Sequence, residues 1–175
     1  MFGGPLPQPR LETVSIILGL DLAETTGICV LQASDHSLVW SDSVRLAIRN
    51  PQSRRIALKQ LIQEALRRFG PGEMALEDVF LPVRTSPRTP ISLGELRGVA
   101  RLCAAEADMP VFFYQPRKVK MTVTGNGAAS KEDVIQIITM EFQTPLKDDN
   151  QADAISVAYT HWLIRQFEQP PDDKT

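Results

Sequence analysis

The sequence has few of the residues that cross-link a small protein or bind zinc. Its 175 residues include only two cysteines and two histidines. Cys29 and Cys103 lie in apolar segments without a CxxC pair, which argues against a disulfide framework and against a zinc site. His36 and His161 are single and are poor candidates for metal ligands. This composition favours a reducing, cytoplasmic setting.

Long hydrophobic runs are also missing. No segment approaches the roughly 18 apolar residues that a membrane span needs, and the N-terminal segment lacks the pattern of a signal peptide. We therefore predict a protein without a membrane partner. The length favours one domain, placed at residues 15–168, with flexible extensions at residues 1–14 and 169–175.

An excess of positive charge is the third absence. The net charge is −2 and the pI is about 5.7, so the average composition does not indicate a nucleic-acid partner. The charges are segregated, however. Residues 83–131 contain eight basic and three acidic residues, a net charge of +5, whereas residues 132–175 contain three basic and nine acidic residues, a net charge of −6. This pattern predicts one basic and one acidic surface.

The apolar patterning predicts an α/β fold. Five short runs are typical of strands: VSIILGL, ICVLQA, SLVWSDSVRL, EMALEDVF and MPVFFYQ. Residues 51–70, 91–108, 130–143 and the segment from about 149 have helical character, residues 116–127 read as a short helix running into a turn, and residues 81–90 read as an irregular loop. The order β-β-β-α-β-α-β, followed by helices, predicts a mixed sheet with helices on its faces.

Isolated carboxylates mark the ends of these predicted elements. Asp21 follows the first strand, Glu77 ends the fourth, and Asp153 lies in the first turn of the last helix. Each alone is more often a surface acid or a helix cap. Together they can converge, because chemistry in open sheets gathers at strand ends and carboxylate oxygens are the ligands that hard divalent ions prefer.

Several motifs are similar to those of one known family. ILGLDLAETTG, ALEDVF, SLGELRGVA, PVFFYQPRKVKMTVTGNGAASKEDV and QADAISVAYTHWL closely resemble, in order and spacing, the RuvC family of Holliday junction resolvases. The likeness runs from about Ile16 to Trp162, and RKVKMTVTGNG is its most specific piece. The resemblance implies an RNase H-like fold with a five-stranded mixed sheet flanked by helices.

The resemblance also implies roles for individual residues. Asp21, Glu77 and Asp153 match the family's metal-binding acids, and Lys120 and Lys131 match its basic residues near the scissile phosphate, although both could be ordinary solvated lysines. Phe80 matches an aromatic that contacts unpaired bases, although a strand-end phenylalanine more often packs in a core. The other candidate DNA contacts are the basic residues Arg84, Arg88, Arg117 and Lys118.

The fourth ligand position is open. The family pattern places it three residues before Asp153, at Asn150, where relatives have Asp or His. Asp149, four residues before Asp153, is the alternative. The family's Pro-Gly after the first aspartate is replaced here by Leu22 and Ala23.

Taken together, the resemblance implies a homodimeric endonuclease. It would resolve four-way or branched DNA by paired symmetric nicks, with two Mg²⁺ ions per site, or Mn²⁺ instead, and a branch-migration helicase as a possible partner. The helix at 91–107, with Gly94 and Gly98 open to close approach, corresponds to one near the family's dimer interface. One rival is a non-cleaving junction binder of the same fold. Another, a sugar-kinase or actin-like ATPase, needs two domains and a second phosphate loop, which this length excludes.

Overall fold

A five-stranded mixed sheet with helices on both faces forms the fold, as the sequence predicts. The computed structural model describes residues 16–46, 50–78 and 88–168, so the predicted terminal extensions lie outside its described residues. The strands are β1 (Ile16–Asp21), β2 (Thr25–Gln32), β3 (Leu38–Arg45), β4 (Glu73–Glu77) and β5 (Val111–Tyr114). The helices are α1 (Pro51–Phe69), α2 (Arg88–Glu106), α3 (Pro116–Thr124), α4 (Lys131–Phe142) and α5 (Asp149–Glu168).

The boundary of α2 corrects one prediction. Residues 81–90 read as a loop because they contain three prolines, yet α2 already begins at Arg88 and includes Pro90. A proline in the first turn costs a helix little, because the amide that it lacks would have no partner within the helix.

The strand order is β3-β2-β1-β4-β5. β1, β2 and β3 form the predicted antiparallel meander, whereas β4 pairs in parallel with both β1 and β5. In the β1–β4 register Leu20 lies opposite Leu76. The carboxyl ends of these two central strands therefore lie side by side, and each is followed or ended by a carboxylate.

Alternation along the strands divides the core into two layers. Leu18 and Leu20 of β1 are buried on one face, in a cluster that includes Leu58 and Ile62 of α1. Ile17 is buried on the other face with Ile155 of α5. This period-two burial follows from the strand geometry, since successive side chains point to opposite faces.

The helix termini follow their capping signals. The Asn50 side chain accepts a hydrogen bond from the Gln52 amide, and Gly70 ends α1 in the left-handed conformation. Ser130 forms a capping box with Asp133 at the start of α4. Ile56 of α1 is apolar but 50% exposed.

Both histidines contact other side chains of the fold. His161 is fully buried on α5, where its Nε2 lies 2.7 Å from Oε2 of Glu73 and its Nδ1 lies 2.6 Å from the hydroxyl of Tyr114. Arg165 also pairs with Glu73. His36 lies in the β2–β3 turn with a φ of 51° and contacts Glu141. No helix within the described ranges is long and apolar enough to cross a membrane.

Candidate active site

Helix α5 lies unusually close to the sheet because two glycines face it. A Cβ atom at Gly19 would lie 2.4 Å from the carbonyl oxygen of Ala154, and one at Gly27 would lie 1.9 Å from the carbonyl oxygen of Asn150. Neither distance is compatible with a side chain. The start of α5 is therefore seated directly beside the end of β1, where Asp21 lies.

This close contact makes Gly27→Ala a sensitive variant. We expect it to displace the first turn of α5 and to destabilise the protein by about 1 to 3 kcal/mol, the usual cost of overpacking a core. Urea unfolding measures the effect. Wild-type unfolding of Gly27→Ala would contradict the close packing.

Polar bonds determine where α5 begins. Oδ1 of Asp148 accepts a hydrogen bond from the backbone amide of Gln151, which makes Asp148 the residue that caps the helix. Oδ2 of Asp148 accepts a hydrogen bond from the Ser43 hydroxyl, and the side-chain amide of Gln151 donates one to the hydroxyl of Ser41. These bonds anchor the start of α5 to β3. Asn150 and Asp153, three residues apart, consequently share one helical face.

The three predicted carboxylates line one cavity of about 430 Å³. Asp21 comes from β1, Glu77 from β4 and Asp153 from α5. The other lining residues are Ala23, Pro116, Val119, Lys120, Lys131, Val134 and Asn150. Six of the predicted site residues are thus brought together by five elements, β1, β4, α3, α4 and α5. Ala23, which replaces the expected glycine, is held in its loop by a hydrogen bond from Thr26 to its carbonyl oxygen.

The three carboxylates of this cavity all have pKa values above their usual range. Burial, followed by repulsion from Asp153 and Glu77, raises the pKa of Asp21 to about 8. Burial, followed by repulsion from Asp153, raises the pKa of Glu77 to about 7. The pKa of Asp153 is also raised, chiefly by burial. A bound cation favours the ionised form of these carboxylates, because it offsets both the cost of burying their charge and the repulsion between them.

The two lysines of the cavity are already engaged. Nζ of Lys131 lies 2.7 Å from Asp149 and 3.8 Å from Asp153, and Nζ of Lys120 donates to the carbonyl oxygen of Ala129. The bond to Lys131 lowers the pKa of Asp149. Asp149 therefore has a cationic partner and is not among the cavity-lining residues, whereas Asn150 lines the cavity.

The donor set suits a hard divalent cation. Asp21, Glu77 and Asp153 offer carboxylate oxygens and Asn150 offers an amide oxygen, which are oxygen ligands of the kind that Mg²⁺ and Mn²⁺ accept. Among the residues that the structure describes, no three carboxylate, thiol or imidazole groups are yet close enough to enclose one ion.

Of the remaining predicted DNA contacts, only Arg117 and Lys118 have side chains that the structure describes. Phe80 and Arg84 fall outside the described residues, and Arg88 begins α2 with a side chain that is not described. Arg117 packs against the backbone at Gly127. Lys118 lines a separate groove beside the aromatic residues of β5. These five assignments stay predictions.

Sequence reasoning missed one cationic residue near the carboxylates. Arg97 of α2 pairs with Asp78, the residue after Glu77, and both line a second cavity next to the first. The sequence contained a signal for Arg97. Asp78 directly follows the predicted ligand Glu77, so its negative charge needs a positive charge nearby, and the helical segment SLGELRGVA contains an arginine.

Comparisons with known proteins agree with this geometry. The family model described as "Crossover junction endodeoxyribonuclease RuvC" matches residues 17–161. The protein of that name from Histophilus somni is 36% identical over 152 residues, which cover 85% of this chain and 79% of the relative. The one from Pseudothermotoga lettingae is 35% identical over 158 residues, 87% of this chain and 96% of the relative.

Solved structures show the same fold. Thermus thermophilus RuvC in complex with Holliday junction substrate superposes with a TM-score of 0.78 at 26% identity, covering 87% of this chain and 96% of that chain. Another structure of Thermus thermophilus RuvC gives a TM-score of 0.74 at the same identity and coverage. The predicted fold, family and enzyme class are thereby confirmed, and the chain belongs to the family of the crossover junction endodeoxyribonuclease RuvC.

Proposed function

We propose that this protein is a divalent-metal-dependent endonuclease that resolves four-way DNA junctions by paired, symmetric nicks. The observation that carries the proposal is the cavity in which Asp21, Glu77 and Asp153 converge with raised pKa values. Buried carboxylates at strand ends, with two lysines beside them, suit the binding of a metal and of a phosphodiester.

Asp21, Glu77, Asp153 and Asn150 would hold the metal. Two Mg²⁺ ions, or Mn²⁺ in their place, would supply water activation and charge stabilisation at the leaving oxygen. Lys131 lies at the rim of the carboxylate cluster, where it would balance the negative charge that builds up on the phosphate. Lys120, tied to the loop at Ala129, would orient the same phosphate from the α3 side.

The DNA would extend from this cavity over the basic segment at residues 83–131. Phe80 is proposed to stack on unpaired bases, and the phosphates would meet Arg84, Arg88, Arg117 and Lys118. Lys118 shares its groove with Phe112 and Phe113, so aromatic and cationic groups adjoin there, a combination used in binding nucleic acid strands.

A homodimer would give the paired nicks. On α2, Ile91 and Leu102 are 64% and 53% exposed. Between them, a Cβ at Gly94 or Gly98 would meet no heavy atom of the described residues within 4 Å. An open apolar stripe with two small residues supports close packing against a second copy of the chain.

Two free cysteines, both buried, suit a reducing cytoplasm. A branch-migration helicase remains a candidate partner.

A substrate panel tests the function. Synthetic four-way, three-way and linear DNA are incubated with Mg²⁺ or Mn²⁺, and the products are resolved on denaturing gels. We expect cutting of the four-way junction at two symmetric positions and little cutting of linear DNA. If junctions are bound tightly but no metal supports cutting, the protein is instead a non-cleaving junction binder, the alternative that Asn150 at a ligand position keeps open.

The two candidates for the fourth ligand are separable by their metal requirements. Asn150→Asp is expected to lower the Mg²⁺ concentration for half-maximal cutting, because a carboxylate holds a divalent ion more strongly than an amide does. Asp149→Asn is expected to change that concentration little, since Asp149 pairs with Lys131 instead. Metal titrations of cutting rate measure both. If Asp149→Asn inactivates and Asn150→Asp is neutral, Asp149 is the ligand.

A further inference from the structure

A second cavity adjoins the carboxylate cluster on the α2 side. It has a volume of about 230 Å³ and shares Asp21, Glu77 and Pro116 with the larger cavity. Arg97 and Asp78 line this smaller cavity and are not among the residues of the larger one. Whatever occupies the carboxylate cluster therefore has a direct extension toward Arg97.

Arg97 is held in place by two different contacts. Its Nη1 lies 2.7 Å from Oδ1 of Asp78, and its guanidinium carbon lies 4.5 Å from the ring centroid of Phe113. The ring contact fixes the plane of the guanidinium group. A guanidinium carries five N–H donors in a rigid fork, so a phosphate can approach its unused donors and compete with Asp78 for it.

The ion pair between Arg97 and Asp78 is too exposed for a stabilising role alone to explain it. The side chains of Arg97 and Asp78 are 22% and 43% exposed, and ion pairs with such access to water stabilise a fold little. The Asp78 amide donates to the carbonyl oxygen of Tyr114, which fixes its backbone directly after Glu77. Asp78 thus adds negative charge beside a cluster that must receive DNA, and Arg97 offsets it.

We propose that the smaller cavity is a seat for a DNA phosphate next to the one that is cut, and that Arg97 is its ligand. Asp78 holds Arg97 ready in the free protein and gives it up to the phosphate when DNA binds. Arg97 is the single cationic residue lining this cavity in the described part of the chain. This inference rests on the proposed function, because it needs DNA at the carboxylate cluster.

Opposite effects of the two partners test the exchange. Arg97→Gln, Asp78→Asn and wild type are compared by fluorescence anisotropy with a labelled four-way junction, in EDTA so that no strand is cut, over a series of salt concentrations. We expect Arg97→Gln to bind at least about tenfold more weakly and to lower the slope of log K against log salt by about 0.9, the value for one phosphate contact. Asp78→Asn should bind more tightly than wild type, because it frees Arg97.

Arg101→Gln is the matched control. Arg101 lies one turn further along α2, 6.0 Å from the same ring of Phe113, and is not among the residues lining either cavity. Its substitution should leave the salt slope near that of wild type. An equal loss of slope in Arg101→Gln would mean that only the general basic field matters, and the proposed seat would be wrong.

The other outcomes are equally decisive. If Arg97→Gln and Asp78→Asn weaken binding equally and lower the melting temperature equally, the pair is structural and the exchange is overturned.

Should Arg97→Gln fail to fold, Arg97→Lys tests the seat. It keeps the charge, so we expect an unchanged salt slope with weaker binding. Wild-type affinity of Arg97→Lys would overturn the seat. If wild type does not bind junctions, the proposed function fails too; if it binds and Arg97→Gln keeps the wild-type slope, only this inference fails.

Discussion

Replacing Glu77 by glutamine is expected to lower junction cutting on the order of 10³-fold or more while leaving junction binding nearly intact. Glu77 lies at the end of β4, in contact with the cavity that also contains Asp21 and Asp153. An amide has nearly the same shape but cannot supply the negative charge that a divalent cation needs. Affinity for DNA comes mainly from basic residues that contact phosphates, and these are unchanged.

Gel assays of cutting and anisotropy measurements of binding, made on the same preparations, separate the two properties. Asp21→Asn and Asp153→Asn should behave in the same way. The exposed Glu132, in the first turn of α4, provides a control, and Glu132→Gln should cut at the wild-type rate. Normal nicking by Glu77→Gln would exclude this cavity as the active site.

The second large effect is on stability. In metal-free buffer at pH 8, Asp21→Asn is expected to be more stable than wild type by on the order of 5 kcal/mol. The pKa of Asp21 rises from 3.8 in the unfolded chain to about 8 in the folded protein. The folded state therefore binds more protons than the unfolded state between these values. Its stability falls as the pH rises from about 4 to about 8, and the variant lacks this loss.

Urea unfolding in EDTA at several pH values measures the difference between wild type and Asp21→Asn. The difference should shrink toward zero near pH 4. Mg²⁺ should then stabilise wild type and not the variant, because a ligand that binds only the folded state adds to its stability. A difference that does not change with pH would contradict the burial of Asp21.

The elements of the fold were predictable because their signals are local. The apolar run VSIILGL, Pro51 near the start and Gly70 at the end of α1, and Ser130 with Asp133 at the start of α4 act within a few residues. The α2 boundary was missed because a proline in a first helical turn and a proline in a loop look alike in sequence.

The site was predictable in its members but not in its arrangement. Asp21, Glu77 and Asp153 could be proposed because each stands at a strand end or a helix start, and family resemblance supplied Lys120, Lys131 and the choice between Asn150 and Asp149. The engagement of Asp149 by Lys131 could not be read from the chain. Arg97 was missed because its contact with Asp78 joins residues 19 positions apart.

The sequence by itself determined the order of strands and helices and the family, since these depend on neighbouring residues and on motif order. Only the tertiary structure decided how closely α5 approaches the sheet, where Gly19 and Gly27 admit its backbone. That approach buries three carboxylates together and raises their pKa values. Burial and charge repulsion are properties of distance in space, and a linear sequence does not contain those distances.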